Sequence, residues 1–157
     1  MLRCLAHHGV EFIVVGGVGA VLHGSPVTTF DLDIVHARTP DNLARLDSAL
    51  REMNAHYRAR PDLHPTISHL ESDGHQLLET IHGPLDVLGM IGCGENFESL
   101  VSHSTLLQAG EGLEFRVLDL ETLIRTKEAT ATEKDQAGLA ALRELHRIRN
   151  TETKSDH

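Results

Sequence analysis

Phe12-Ile13-Val14-Val15-Gly16-Gly17, followed after thirteen intervening residues by Asp31-Leu32-Asp33-Ile34, is the stretch that decides the fold. Four apolar residues bounded by glycine are too few for a helix and suit a buried strand. The glycine pair ends that strand in a turn with bare backbone N–H groups. Val18–His23 reads as a short helix closed by Gly24-Ser25-Pro26. A second strand over Phe30–Val35 places Phe30, Leu32 and Ile34 on one face and Asp31, Asp33 and Val35 on the other. A strand that buries one side and presents two carboxylates on the other has the form of a site. Like charges this close repel, and a divalent cation keeps both ionised. Mg2+ suits them, since it takes oxygen ligands and leaves positions for phosphate oxygens and water.

Working outward, residues 2–9 read as a short helix stopped at Gly9. Thr39 and Pro40 open a helix on which Leu43, Leu46, Leu50 and Met53 recur at helical spacing. Residues 57–75 carry Pro61, Pro65 and Gly74 without a lasting period, so an irregular excursion with one short strand is expected. Gln76–Ile81 and Leu85–Ile91 are apolar runs broken by His82-Gly83-Pro84, the punctuation of a hairpin. Glu95–His103 reads as a helix. Leu113, Phe115 and Val117 alternate with Glu114 and Arg116 in a half-buried strand, and Asp119 caps a helix bearing Leu120, Leu123 and Ile124. Leu139, Leu142, Leu145 and Ile148 mark the last helix. Lys127 and Lys134 share a face if one helix runs through both; Thr130-Ala131-Thr132 is the alternative, a break.

The 157 residues fit a single domain, read as residues 1–149, with residues 150–157 a polar, disordered tail. Aromatics are 3% with no Trp, so the core must be aliphatic. A formal charge of −9 argues against bulk binding to DNA or to an anionic membrane. No apolar run reaches the ~20 residues that span a bilayer, and residues 1–8 lack the apolar segment of a signal peptide. A cytoplasmic protein is the expectation. Cys4 and Cys93 are too few for a disulfide framework and are not spaced as a zinc knuckle. Of twelve histidines, His64, His69 and His75 come nearest to a ligand pattern; most are expected to be solvated surface groups.

A glycine pair after a strand, taken alone, is a tight turn, and an isolated Asp-x-Asp is an edge of acids. Together they bring bare backbone donors up to a phosphate and set carboxylates beside it. Asp86 adds a third carboxylate amid Leu85, Val87 and Leu88, where a metal would offset its desolvation. It is a candidate to hold a second metal and to take a proton from an attacking hydroxyl. A dinucleotide-binding fingerprint starting at Gly17-Val18-Gly19 fails, because Leu22 stands at its third glycine.

The pattern Val15-Gly16-Gly17 with Asp31-Leu32-Asp33-Ile34 resembles the nucleotidyltransferase superfamily typified by DNA polymerase beta. With His23-Gly24 and Thr29 ahead of the acids, the chain looks most like small bacterial nucleotidyltransferases of the toxin–antitoxin and abortive-infection type. Gly83 to Asp86 matches the stretch that ends in the family's third acid. Leu123 to Lys127 and Glu133-Lys134-Asp135 are similar to its trailing helix, so the likeness covers roughly residues 10–146. The resemblance implies an α+β fold: a nucleotidyltransferase-like mixed β-sheet with flanking helices and a helical C-terminus. It implies that Asp31 and Asp33 bind two Mg2+ (or Mn2+), that Asp86 binds one metal and the incoming hydroxyl, and that Gly16 and Gly17 take the triphosphate. It also makes Thr29, Lys127 and Lys134 candidates for nucleotide binding. The reaction implied is transfer of a nucleoside monophosphate from an NTP to a tRNA, protein or small-molecule hydroxyl, with a cognate antitoxin as a possible partner.

Three positions depart from the family's pattern. Val27 and Thr132 stand where many relatives carry arginine, and Gly138 where many carry a further acid. Loss of two cations beside a triphosphate weakens its binding, which opens an alternative. In that reading the chain is a catalytically degenerate nucleotidyltransferase-fold protein that binds a nucleotide or a protein partner in a toxin–antitoxin or regulatory role.

Overall fold

The two strands that flank the glycine pair are neighbours in space. Phe12–Val15 (β1) pairs antiparallel with Leu32–His36 (β2), which sets Val15 opposite Asp33. The structure, a computed structural model, describes residues 1–155. Five further strands complete one sheet: His56–Tyr57 (β3), His75–Thr80 (β4), Gly83–Leu88 (β5), Ser104–Gln108 (β6) and Glu114–Leu118 (β7). Their order is β3-β4-β5-β2-β1-β7-β6. Pairs β2–β5 and β1–β7 are parallel and the rest antiparallel, so the sheet is mixed and the fold α+β.

Helices α1 (Leu2–His7) and α3 (Pro40–Glu52) cover one face. Leu5 of α1 and Leu43, Leu46, Leu50 and Met53 beside them meet Phe12, Val14, Leu32, Ile34, Leu85 and Val87 of the strands in the main core. Thr39 caps α3 by accepting the Asn42 backbone N–H, and Pro40 starts the helix where no N–H is needed. Ile13, Val15, Val35 and Leu88 face the other way, against Leu100 and Leu123. Leu100 ends α5 (Phe97–Leu100) and Leu123 lies on α6 (Leu120–Thr130), whose first N–H groups are capped by Asp119. A third cluster joins Ala20 of α2 (Gly16–Leu22), Leu120 and Ile124 to Leu139 and Leu142 of α7 (Gln136–Ser155). Each such leucine stabilises the docking of α7 by roughly 1.5–3 kcal/mol. Among the described residues, no helix is long and apolar enough to cross a membrane.

Several elements differ from their sequence reading. Helix α2 starts at Gly16 itself, so the glycine pair both turns the chain out of β1 and opens the helix. Phe30 is 84% exposed and precedes β2, because the strand forms only where β5 pairs with it, from Leu32 on. The excursion over 57–75 contains a helix, α4 (Ile67–Glu71), held by reciprocal bonds between Thr66 and His69. Five residues are too few for a periodic signal. Strand β6 is an edge strand with mostly exposed side chains, so its pattern is weak. The helix containing Lys127 stops at Thr130. Thr132 then accepts Asp135 in a short 3-10 turn, its own N–H and hydroxyl both donating to the Asp135 carboxylate at 2.9 Å. The tail expected from Asn150 is helical as far as Ser155; residues 156–157 lie outside the described residues.

Candidate active site

Register decides where the acids sit. The parallel pairing of β2 with β5 sets Asp33 directly beside Asp86. Both alternate with core residues, Leu32 and Ile34 on one strand and Leu85 and Val87 on the other, so their carboxylates leave on the opposite face. Burial, the Asp86 charge and hydrogen bond, and the Asp31 charge push the Asp33 carboxyl up to about 7, against a weaker downward pull from Arg58. Held that high, the Asp33 carboxyl carries a proton near neutral pH unless a cation offsets the crowding.

Gly16 makes room for that pair. Its φ is +61°, and a Cβ there would fall 2.0 Å from Asp33 Oδ2. Any side chain would therefore displace the carboxylate as well as strain the backbone. At Gly17 a Cβ would lie 2.7 Å from Thr29 Oγ1, so Thr29 packs on the glycine turn; its hydroxyl donates to the Asp31 carbonyl at 3.4 Å. No side chain caps α2, which leaves the first N–H groups of that helix without a side-chain acceptor.

Asp31 lies one residue outside β2 and is half-exposed. Arg58 belongs to no pattern that singles it out in the sequence. It follows β3, its Nε donates to the Leu78 carbonyl at 3.1 Å, its Nη2 pairs with the Asp86 carboxylate, and its Nη1 lies 3.9 Å from Asp31 Oδ2. The guanidinium thus neutralises two of the three acids. Among the described residues, the Cys, His, Asp and Glu trio whose donor atoms all fall within 4.8 Å of one another is Cys4, His8 and Glu52; the three acids stand further apart than that. Their donor set is nonetheless all hard oxygen, and the crowding that raises Asp33 is relieved by a positive ion. On those grounds the acids fit Mg2+ or Mn2+.

A cavity of about 460 Å³ opens beside Asp33, walled by Val15, Gly16, Gly17, Leu123 and Lys127 among others. Lys127 stands 3.3 Å from Asp135 Oδ1. Two of the three departures, Val27 and Gly138, are on the wall, while Thr132 is spent on capping the 3-10 turn. Lys134 is exposed on that turn and takes no part in the wall; the helix of Lys127 ends at Thr130, so the two lysines lie on different elements. Asp31 and Asp86 flank the cavity without lining it. His64, His69 and His75 do not converge: they bond separately to the Ala55 carbonyl, Tyr57 and the Met90 carbonyl.

In overall structure the chain is similar to a Thermotoga maritima protein provisionally assigned as a nucleotidyltransferase. The TM-score is 0.51 at 15% identity, over 99% of this chain and 86% of that one. The fold is the nucleotidyltransferase fold. The antibiotic-resistance factor ANT(2'')-Ia superposes with a TM-score of 0.48 at 14% identity, over 99% of this chain and 92% of that one. No family model matches the sequence, and no curated protein matches it. Within the nucleotidyltransferase fold, the glycine turn and the acid-bearing strand of this chain meet at one end of the cavity.

Proposed function

We propose that the chain is a metal-dependent nucleotidyltransferase that moves a nucleoside monophosphate from an NTP to a hydroxyl of a tRNA, protein or small-molecule acceptor. The observation that carries this reading is the Asp33–Asp86 pair, side by side on β2 and β5, with Asp33 and the Gly16-Gly17 turn lining one cavity. Asp31, Asp33 and Asp86 would hold Mg2+ or Mn2+, which when bound supplies positive charge to the phosphate oxygens. Gly16 and Gly17 offer backbone N–H groups to the triphosphate, with Thr29 fixing the turn against the strand. Lys127 neutralises phosphate charge from the cavity wall after leaving Asp135.

In the transfer, the acceptor oxygen bonds to the α-phosphorus while the bond from that phosphorus to the pyrophosphate oxygen breaks. Asp86 receives the hydroxyl proton and pyrophosphate leaves. Asp33 must be ionised in the loaded site, so the proton held there in the metal-free protein is released on loading.

A second reading, a silent nucleotidyltransferase-fold protein, is favoured by Arg58, which already pairs with Asp86 and Asp31, and by the uncharged Val27 on the cavity wall. Radiolabelled NTPs of each base, incubated with Mg2+ or Mn2+ and either tRNA or cell protein, separate the two. Label in an acceptor that disappears in Asp31→Ala supports transfer. NTP binding without label in any acceptor supports a silent protein that holds a nucleotide, and no NTP binding under either metal overturns transfer and leaves the silent protein that binds a protein partner.

A further inference from the structure

We propose that Cys4, His8 and Glu52 form a binding site for Zn2+ or a similar borderline-soft transition metal at the corner of α1 and α3. Cys4 lies on α1 and His8 closes it, four residues on, so their side chains leave the helix on one face. Glu52 is the last residue of α3. Donor atoms from all three lie within 4.8 Å of one another, and His8 Nε2 stands 2.5 Å from Glu52 Oε2.

Their placement follows from the core. Leu5, fully buried between them, joins α1 to Leu46, Leu50 and Met53 of the α3 region. The two helices are therefore fixed against each other before any ion arrives. A tetrahedral Zn2+ with bonds of about 2.0–2.3 Å places its donors roughly 3.3–3.8 Å apart. The thiol moves in by about an ångström to reach that spacing, and the His8–Glu52 pair opens by a similar amount. Both are side-chain adjustments.

The chemistry of the donor set distinguishes this corner from an ordinary surface ion pair. A thiol is a weak hydrogen-bond donor, and Cys4 reaches the Ala49 carbonyl at 3.7 Å, which already accepts the Met53 N–H, while burial and the neighbouring Glu52 carboxylate raise its pKa. A thiolate, an imidazole and a carboxylate together are instead the ligands of zinc and cobalt rather than magnesium. Glu52 is 58% and His8 23% exposed at the side chain, which gives an ion a path in and leaves a fourth position to water. Sequence inspection passes over the site because Glu52 lies 44 residues beyond His8.

Cobalt is the probe, used with the full chain, reduced and stripped of metal, in excess Mg2+. Expected is a thiolate-to-cobalt charge-transfer band in the near ultraviolet that saturates at one equivalent and is displaced by Zn2+. Cys93, the other cysteine, is exposed, so Cys93→Ser keeps the band and Cys4→Ser loses it. Asp31→Ala also keeps it, which separates this site from the carboxylates on β2 and β5. His8→Gln, which leaves the thiol in place, weakens cobalt binding at least tenfold by calorimetric titration and tests the site should Cys4→Ser fail to fold. No band in the unmodified protein, a band that follows Cys93, or an unchanged affinity in His8→Gln overturns the proposal.

Discussion

Two clusters of ionisable side chains in this molecule differ in almost every respect. At the centre of the sheet, Asp33 and Asp86 are adjacent on paired strands, Asp33 largely buried, with Arg58 as their counter-charge. At the periphery, Cys4, His8 and Glu52 join a six-residue helix to the end of another. The central cluster is all oxygen and crowded; the peripheral one mixes sulfur, nitrogen and oxygen and is half-open. Backbone register locks the first, whereas side-chain rotamers set the second. The difference teaches that charge density on a rigid strand pair suits reaction chemistry, while a helix corner suits retention of an ion.

The largest effect expected from this contrast is catalytic. Asp86→Asn should lower nucleotidyl transfer by about 1,000-fold or more, some 4 kcal/mol of barrier. Cys4→Ser should leave the rate within about twofold, the precision of a careful rate measurement. Equal loss in both variants, measured by steady-state transfer, would erase the division between the clusters.

Next in size is the glycine cradle. Gly16→Ala drives a methyl into the Asp33 carboxylate at a positive φ and should destabilise the chain by roughly 2–4 kcal/mol in urea. Gly24 also has a positive φ, +99°, but nothing lies within 4 Å of its added Cβ. Gly24→Ala should therefore cost only the backbone strain, about 1–2 kcal/mol. Similar losses for the two would mean that contact with Asp33 is not what requires Gly16.

The pH dependence sharpens the picture within one strand. Asp33 ionises near its ordinary value of 3.8 when unfolded and at about 7 when folded, so the native state holds the extra proton between those limits. Stability of the metal-free protein is fully present below about pH 4, falls as pH rises through 7, and is lower by at most ~4 kcal/mol above that. Asp33→Asn should flatten this slope in denaturant titrations across pH. His36, on the opposite face of β2, works the other way. Its ring is 1% exposed, Nε2 bonds the Leu70 carbonyl at 2.7 Å, and burial lowers its pKa. The unfolded chain takes a proton near pH 6.5 that the buried ring refuses, so stability drops as pH falls below about 6.5. His36→Leu should remove that acid-side loss.

Much of the fold was legible because it is written locally. The glycine boundary of β1, the Thr39-Pro40 start of α3 and the Asp119 cap of α6 all fall where the sequence places them. Short elements whose side chains are mostly exposed leave no such mark: α4 and β6 were silent. Within the site, Asp33 and the glycine pair share one short stretch and so declare themselves. Arg58 does not, since nothing near Tyr57 signals that β3 will lie beside β4 and carry a guanidinium across to Asp86.

The alternation that sends Asp33 and Asp86 away from the apolar core is local to each strand. Period-two geometry is a property of any strand and needs no partner. Which residues then meet depends on the assembled fold. The parallel register of β2 and β5 pairs the two acids, the break after Thr130 separates Lys134 from Lys127, and the packing of Leu5 brings Cys4 and His8 to Glu52. Pairing register and helix docking are set by burial summed over the whole core, and no window of sequence contains that sum.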